Sequence, residues 1–326
     1  MLFRSLSIPQ DDVCVVYISH FLEEVREIAD SYIVLRDGKN VASGKIGDVR
    51  DDELIAKMVG RPVDLLFPER LRHPSGEPVL EVSRLSAPPS VKDASFELHR
   101  GEVLGIAGLM GSGRTEMIRA IFGLAPAESG TISIGGRQED ASSARAARRI
   151  SQGVGYISED RQGEGLALAL AIADNITMTR MSAFSRLGWI SRRRQRDQAQ
   201  KWANRLAIRA RDVMEKVRRL SGGNQQKVAL ARLLHQDVEI LLVDEPTRGI
   251  DIGSKAQVYC LIESLAEQGK AVLMVSSYLP ELFGMCDRLA VMSRGCLSET
   301  RAIDAWTPES VMQAAIGTGT RNDGYN

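Results

Sequence analysis

The chain has 326 residues, 44% of them hydrophobic and 26% charged, with 42 basic and 42 acidic side chains. That is the mix of a globular protein of one or two domains, and the balanced charge gives no bulk attraction to nucleic acid. No apolar run approaches the ~18 residues of a membrane-crossing helix; the longest clear one is LALALAIA at 166–173, and SIPQDD breaks any signal-peptide pattern after Met1.

In chain order, the first pattern is CVVYIS (14–19), an expected strand, followed by a helix and the strand SYIVLRDG (31–38) closing at a glycine turn. The pattern returns near the other end. VVYISHFLEEVREIADSYIVLRDGK (15–39) lies over VLMVSSYLPELFGMCDRLAVMSRGC (272–296) without a gap, at an offset of 257 residues (277 − 20). Ser19 falls on Ser276, Leu22 on Leu279, Glu24 on Glu281, Asp30 on Asp287, Val34 on Val291 and Gly38 on Gly295. So long a match is a duplication with the period of a domain. GRPVDLLFPERLRHPSGEP (60–78), with four prolines, reads as a linker. The expected organisation is the end of one domain over 1–59, a linker over 60–78 and a complete second copy over 79–326. The first segment lacks sheet partners for its two strands, so it is expected to pack loosely or to cling to the second copy.

Beyond the linker come the expected strands VLEV, SFEL and VLGIAG (103–108), a helix from Thr115 and the strand and turn TISIGG (131–136). Residues 172–235 are mostly helical in pattern, and ILLVDE (240–245) and AVLMVSS (271–277) are further buried strands. Buried strands alternating with helices imply a parallel α/β core. Cys14, Cys260, Cys286 and Cys296 are scattered, which suggests buried inert thiols. His20, His73, His99 and His235 lack zinc-site spacing. The basic run ISRRRQR (190–196) reads as a solvated helix face.

Three stretches carry chemistry. GLMGSGRT (108–115) follows a strand and opens a helix. In such a loop, glycines let backbone N–H groups curl around phosphates, and the helix end adds positive potential. Gly108, Gly111 and Gly113 shape it, and Thr115 offers a hydroxyl for Mg²⁺. Arg114 stands where Lys is the usual residue, a planar fork in place of a compact charge. ILLVDEPT (240–247) delivers Asp244 and Glu245 at the C-terminal end of a buried strand, where open α/β sheets bind ligands. Asp244 suits Mg²⁺, and Glu245 can orient or deprotonate an attacking water. LSGGNQQKVALARLL (220–234) starts a helix with Ser221, Gly222 and Gly223, a second anion-binding end, with Ser221 expected as its cap.

These residues resemble an ATP-binding cassette ATPase: residues 108–115 resemble its Walker A loop, LSGGNQQ its signature, ILLVDEPT its Walker B strand, and GID (249–251) its D-loop. GLMGSGRTE, GYISEDR (155–161), DEPTRGIDIGSK and the early MVGR (58–61) look like the second cassette of double-cassette ATPases serving ribose, galactose and xylose importers. The resemblance covers nearly the whole chain. It implies a P-loop NTPase core with a parallel sheet, an antiparallel β subdomain and a helical signature subdomain. It also implies ATP and Mg²⁺, membrane permease subunits, a periplasmic or lipid-anchored sugar-binding protein, a first cassette as partner, no nucleic acid, and a peripheral place on the cytoplasmic face of the cell membrane. YISH resembles the switch-histidine motif, which implies a catalytic His20 in one site and Ser277 at the same position in the other. Gln225 in the signature and Asp251 in the D-loop join the nucleotide contacts. The motifs of a first cassette are absent, so the chain is expected to be the C-terminal part of a longer protein.

Cassettes of this family pair head to tail. The implied partition gives one hydrolytic site, using a Walker A loop from elsewhere, His20 and Ser221, Gly222 and Gly223. The other site uses Gly108, Gly113, Arg114, Thr115, Asp244 and Glu245, with Glu159 where the Q-loop glutamine belongs and no adenine-stacking aromatic in SAPPSVKD (86–93). Arg for Lys, Ser for His, Glu for Gln and the missing aromatic all imply a weakened site. Two other readings stay open: a double-cassette protein acting on ribosomes or DNA, and a regulatory subunit that binds nucleotide without transport.

Overall fold

The parallel core rests on short apolar runs that no solvent-facing strand would tolerate. In the computed structural model, β5 (Val103–Gly108), β11 (Ile240–Asp244) and β12 (Ala271–Val275) are buried almost end to end, as expected for strands covered on both faces. The structure describes residues 14–19, 22–36, 38–59, 67–68, 76–186 and 189–317. The chain divides into two units, residues 1–65 with 251–253, and residues 66–250 with 254–326.

The first unit has α1 (Leu22–Ile28), β1 (Ser31–Arg36), β2 (Lys39–Lys45) and α2 (Asp51–Val59). β1 and β2 pair antiparallel across the turn at Gly38, whose φ is 75°. Its buried apolar centre is small, consisting of Val34, Val49 and Leu54. Arg26 ties α1 down, donating to the Val49 carbonyl at 2.5 Å and the Ile46 carbonyl at 3.2 Å and pairing with Asp51. The expected strand at CVVYIS is not formed: residues 14–19 take no regular structure, and Val16 and Ile18 are 84% and 91% exposed. The reason is the lack of partners. The matching strand β12 is held by parallel ladders to β11 and β5 on its two sides, and no such neighbours exist for 14–19 among the described residues.

In the second unit, β3 (Pro78–Ala87), β4 (Val91–His99), β6 (Ser129–Ile134) and β7 (Arg137–Asp140) pair antiparallel. β5, β8 (Val154–Ile157), β11, β12 and β13 (Arg288–Ser293) form the parallel part. One sheet runs β7-β6-β3-β4-β14-β13-β5-β12-β11-β8, with β14 (Cys296–Leu297) as the seam and β15 (Arg301–Ala302) beside β13. The helices of the parallel part are α3 (Arg114–Phe122), α4 (Ala146–Ser151), α8 (Ile252–Glu267), α9 (Leu279–Met285) and α10 (Pro308–Ile316). α5 (Ile172–Thr177), a short β9–β10 hairpin (Ser185–Arg186 with Trp189–Ile190), α6 (Arg192–Arg205) and α7 (Gly222–Gln236) make a helical region with its own core around Ile172, Ile176, Ala199 and Val228.

Most of the linker stretch 60–78 lies outside the described residues. Phe67 does not: its ring lies 5.0 Å from that of Tyr259 and closes over Gly284, where a β-carbon would sit 2.4 Å from the ring. The expectation of four buried cysteines fails, since only Cys286 is buried and Cys14, Cys260 and Cys296 are exposed. Cys14 falls in the partnerless segment, which explains its exposure.

Candidate functional site

The site collects at the C-terminal ends of β5 and β11. After Gly108 the chain turns through residues 109–113 into α3, and two of its glycines are required by close approach. A β-carbon at Gly108 would lie 2.5 Å from the Met292 carbonyl, and one at Gly113, where φ is 105°, would lie 2.4 Å from the Ser90 carbonyl. The loop backbone is therefore wedged between the turn after β3 and the end of β13, with α3 starting at Arg114.

β11 delivers Asp244 and Glu245 beside that loop. Asp244 is fully buried, and both its carboxylate oxygens lack a hydrogen-bond partner among the described residues. Burial pushes its pKa up to about 6, while the neighbouring Thr115 hydroxyl and Arg114 charge pull it the other way. Glu245 has the left-handed φ of 46° and donates its N–H to the Val275 carbonyl at 2.9 Å. Its Oε1 accepts the Ser277 N–H at 2.7 Å and lies 3.7 Å from Arg114 Nη2. Arg114 is itself buried, which lowers its pKa against the pull of Glu245 and Asp244, and its Nη1 has no hydrogen-bond partner among the described residues.

A pocket of about 360 Å³ opens beside Thr115, lined by Arg119, Ser158, Glu159, Asp160, Glu164 and Arg248. Two ion pairs frame it. Arg119 donates to both oxygens of Glu164 at 2.6 and 2.8 Å, and Arg248 pairs with Glu159. The Arg119 and Ser158 hydrogen bonds hold the Glu164 carboxyl below the usual range.

The structure thus brings together Gly108, Gly113, Arg114, Thr115, Asp244, Glu245 and Ser277, with Glu159 on the pocket wall. Ser221, Gly222, Gly223 and Gln225 sit elsewhere, at the start of α7. Ser221 occupies the cap position but makes no side-chain cap. Its Oγ instead accepts from the Asn224 amide at 2.9 Å, so the Ser221 side chain leaves the first-turn N–H groups of this helix to other partners. Gln225 is buried, donating toward the Leu220 carbonyl at 3.2 Å and accepting from Arg161 at 3.3 Å. His20 lies outside the described residues, and Asp251 falls in the 251–253 stretch assigned to the first unit. Arg119, Glu164 and Arg248 were not expected at the site. Arg248 comes from a turn and Glu164 from a single π-helical turn (Arg161–Gly165), both too short for periodicity to carry information.

Comparison with known proteins places this sequence and fold among others. Residues 91–248 match the pattern of the ABC transporter family. A "Putative ribose/galactose/methyl galactoside import ATP-binding protein 3" of Burkholderia ambifaria is 45% identical over 305 residues, covering 93% of this chain and 59% of that protein. "Ribose import ATP-binding protein RbsA 3" of Rhizobium meliloti is 42% identical over 310 residues, covering 95% of this chain and 61% of that protein. Residues 91–248 are an ABC transporter domain. The chain spans about three fifths of the length of these curated relatives. The ABC cassette fold itself appears in the solved MJ0796 dimer bound to ADP and Pi, with a TM-score of 0.58 at 21% identity over 69% of this chain and 98% of that one. A second cassette, MJ1267 in its ADP conformation, gives 0.60 at 18% identity over 74% of this chain and 96% of that one.

The residues of this ABC transporter domain fit a divalent cation. A fully buried carboxylate with two bare oxygens costs several kcal/mol unless something positive meets it, and the Thr115 hydroxyl stands beside it. This sets a pH dependence. The Asp244 pKa is raised from 3.8 to about 6, so without metal its contribution to stability is present below pH 3.8 and lost as pH rises through about 6. A cation needs the ionised form, so the sign for binding is opposite. Calorimetric titration with MgADP is expected to show affinity about tenfold weaker at pH 5 than at pH 7. An equal affinity at both values would count against Asp244 as a cation ligand.

Proposed function

We propose that this chain is the ATP-binding subunit, or the C-terminal part of one, of an importer for simple sugars, coupling MgATP binding and hydrolysis to transport. The observation that carries this is the pairing of a glycine-wedged loop with the bare Asp244 carboxylate and adjacent Glu245. The named function of its relatives, ribose and galactoside import, supplies the substrate class.

Each residue then has a role. Backbone N–H groups of the loop 108–113 cradle the phosphates. Thr115 and Asp244 would hold Mg²⁺, which would supply positive charge to the terminal phosphates. Glu245 orients or deprotonates the attacking water. The start of α7, from Ser221 to Gly223, offers its first-turn N–H groups to a nucleotide held by another cassette, with His20 at that second site. Gln225 and Asp251 complete the contacts.

A weak site of the chain's own is the reading that the surroundings of Glu245 support. Arg114 leans on the carboxylate that serves as base, so a fork-shaped cation occupies the place of a compact one. Glu159 is likewise engaged by Arg248. Permease subunits, a first cassette and a sugar-binding protein complete the machine at the cytoplasmic face of the membrane. No nucleic-acid partner is proposed, because two arginines of the basic run already pair, Arg192 with Asp174 at 2.9 Å and Arg196 with Asp212 at 2.6 Å.

The test is co-expression of the chain with a first cassette and permease from one of these relatives. Capture on the permease and sugar-stimulated ATP turnover, both lost when α7 is altered by Gly222→Asp, are the expected results. Turnover by the isolated chain that matches the assembled complex would overturn the weak-site assignment.

A further inference from the structure

Behind Glu245 lies a buried carboxyl that the roles above do not use. Glu281, on α9, is 1% exposed, and burial pushes its pKa above the usual carboxylate range. Three hydroxyls surround it. Thr247 Oγ1 donates to its Oε2 at 2.7 Å, Tyr259 Oη donates to Oε2 at 2.9 Å, and Ser276 Oγ makes a short contact with Oε1. Ser276 Oγ also accepts the Tyr278 N–H at 2.9 Å and lies 3.4 Å from Glu245 Oε2. Glu281 therefore touches both flanks of Glu245: the loop that follows it, through Thr247, and the end of β12 beside it, through Ser276.

A hydrogen count sets the direction of this chain. Ser276 has one hydroxyl proton. An ionised Glu281 can only accept, so it takes that proton and Ser276 turns a lone pair toward Glu245. A protonated Glu281 donates to Ser276 Oγ and leaves the serine proton for Glu245 Oε2. Thr247 and Tyr259 donate in both cases. Besides Tyr259, the titratable group facing Glu281 is Glu245, whose charge also favours the proton on Glu281.

The first unit repeats the pair. Ser19 Oγ donates to Glu24 Oε2 at 3.0 Å, and the offset of 257 carries Ser19 onto Ser276 and Glu24 onto Glu281. There the contact forms beside a segment with no strand and little burial, so the local chain makes it without a surrounding core.

We propose that Glu281 is a positioning residue, setting the Glu245 carboxylate through Ser276 and holding the loop beyond β11 through Thr247. This rests on Glu245 as the hydrolytic base. In single-turnover hydrolysis with the chain in excess over ATP, Glu281→Ala and Ser276→Ala are each expected to slow the reaction about tenfold. MgATP affinity should stay within about twofold, because neither group touches the phosphates. The double variant should be no slower than the slower single, since both cut one link. Glu281→Gln, whose amide can donate to Ser276 and whose carbonyl can accept from Thr247 and Tyr259, should recover most of the rate lost in Glu281→Ala. A second readout does not need turnover. The Ser277 amide donates to Glu245 at 2.7 Å, and its hydrogen exchange should speed up in Glu281→Ala and Ser276→Ala but not in Glu281→Gln. Should Glu281→Ala fail to fold, the single-oxygen change Ser276→Ala carries both measurements. Additive losses, or an unchanged rate with unchanged Ser277 exchange, would overturn the positioning role alone. Glu245→Gln turning over as fast as the wild type would instead remove the base, and the inference with it.

Discussion

Glu245→Gln is expected to slow MgATP hydrolysis by the chain by ~10²–10⁴-fold, the usual effect of deleting a positioned acid–base group. The substitution is nearly isosteric. A glutamine carbonyl can still accept the Ser277 N–H that meets Oε1 at 2.7 Å, so the loop geometry persists. What disappears is the carboxylate basicity and half of the buried pair with Arg114. Nucleotide affinity should therefore change little, and the loss should appear in the rate of the single-turnover step. Fluorescent-nucleotide titration separates the two. A rate within threefold of wild type would move the chemistry away from Glu245.

The largest expected stability effect lies in the second unit's core, away from the nucleotide loop's tip. Arg149 on α4 is fully buried. Its Nη1 pairs with Glu139 and reaches Gln152 Oε1 at 2.8 Å, while Nε donates to the Ile121 carbonyl near the end of α3 at 2.9 Å. One side chain thus joins β7, α4 and α3, the helix that follows the glycine loop 108–113. Burial raises the Glu139 pKa, but hydrogen bonds from Gln152 and Arg149 outweigh it and the carboxyl titrates below its usual range. Removing Arg149 leaves Glu139 with only the half-exposed Arg148 and the Gln152 amide, and strips the Ile121 carbonyl of its donor. Arg149→Ala is therefore expected to cost ~3–5 kcal/mol, read as the shift in a urea unfolding curve. A loss below about 1 kcal/mol would mean that Arg148, 3.0 Å from Glu139, takes over the pairing.

The parts of this molecule legible from sequence are those whose physics is local. The apolar runs at 103–108, 240–244 and 271–275 can only be buried strands, and they are. The positions of Thr115, Asp244 and Glu245 follow, because each sits at a fixed step from a strand end. CVVYIS has the same composition and failed, since a strand exists only by hydrogen bonding to neighbours that composition does not list. Ser221 shows a similar limit. Its place before α7 was readable, but the Asn224 amide that engages its hydroxyl was not. The ion pairs of Arg119 with Glu164 and Arg248 with Glu159 join residues far apart in the chain, and only the folded backbone brings them together. Glu281 was visible as one half of the duplication, yet nothing in the repeat said what it touches.

The left-handed backbone at Glu245 has an evolutionary consequence. At a φ of 46° any side chain with a β-carbon is strained, at roughly 1–2 kcal/mol relative to glycine. Selection for heat tolerance alone would favour glycine at this codon, whereas the base role proposed for Glu245 would keep glutamate. Variants enriched in a thermal screen would thus be drawn toward a sturdier but silent cassette.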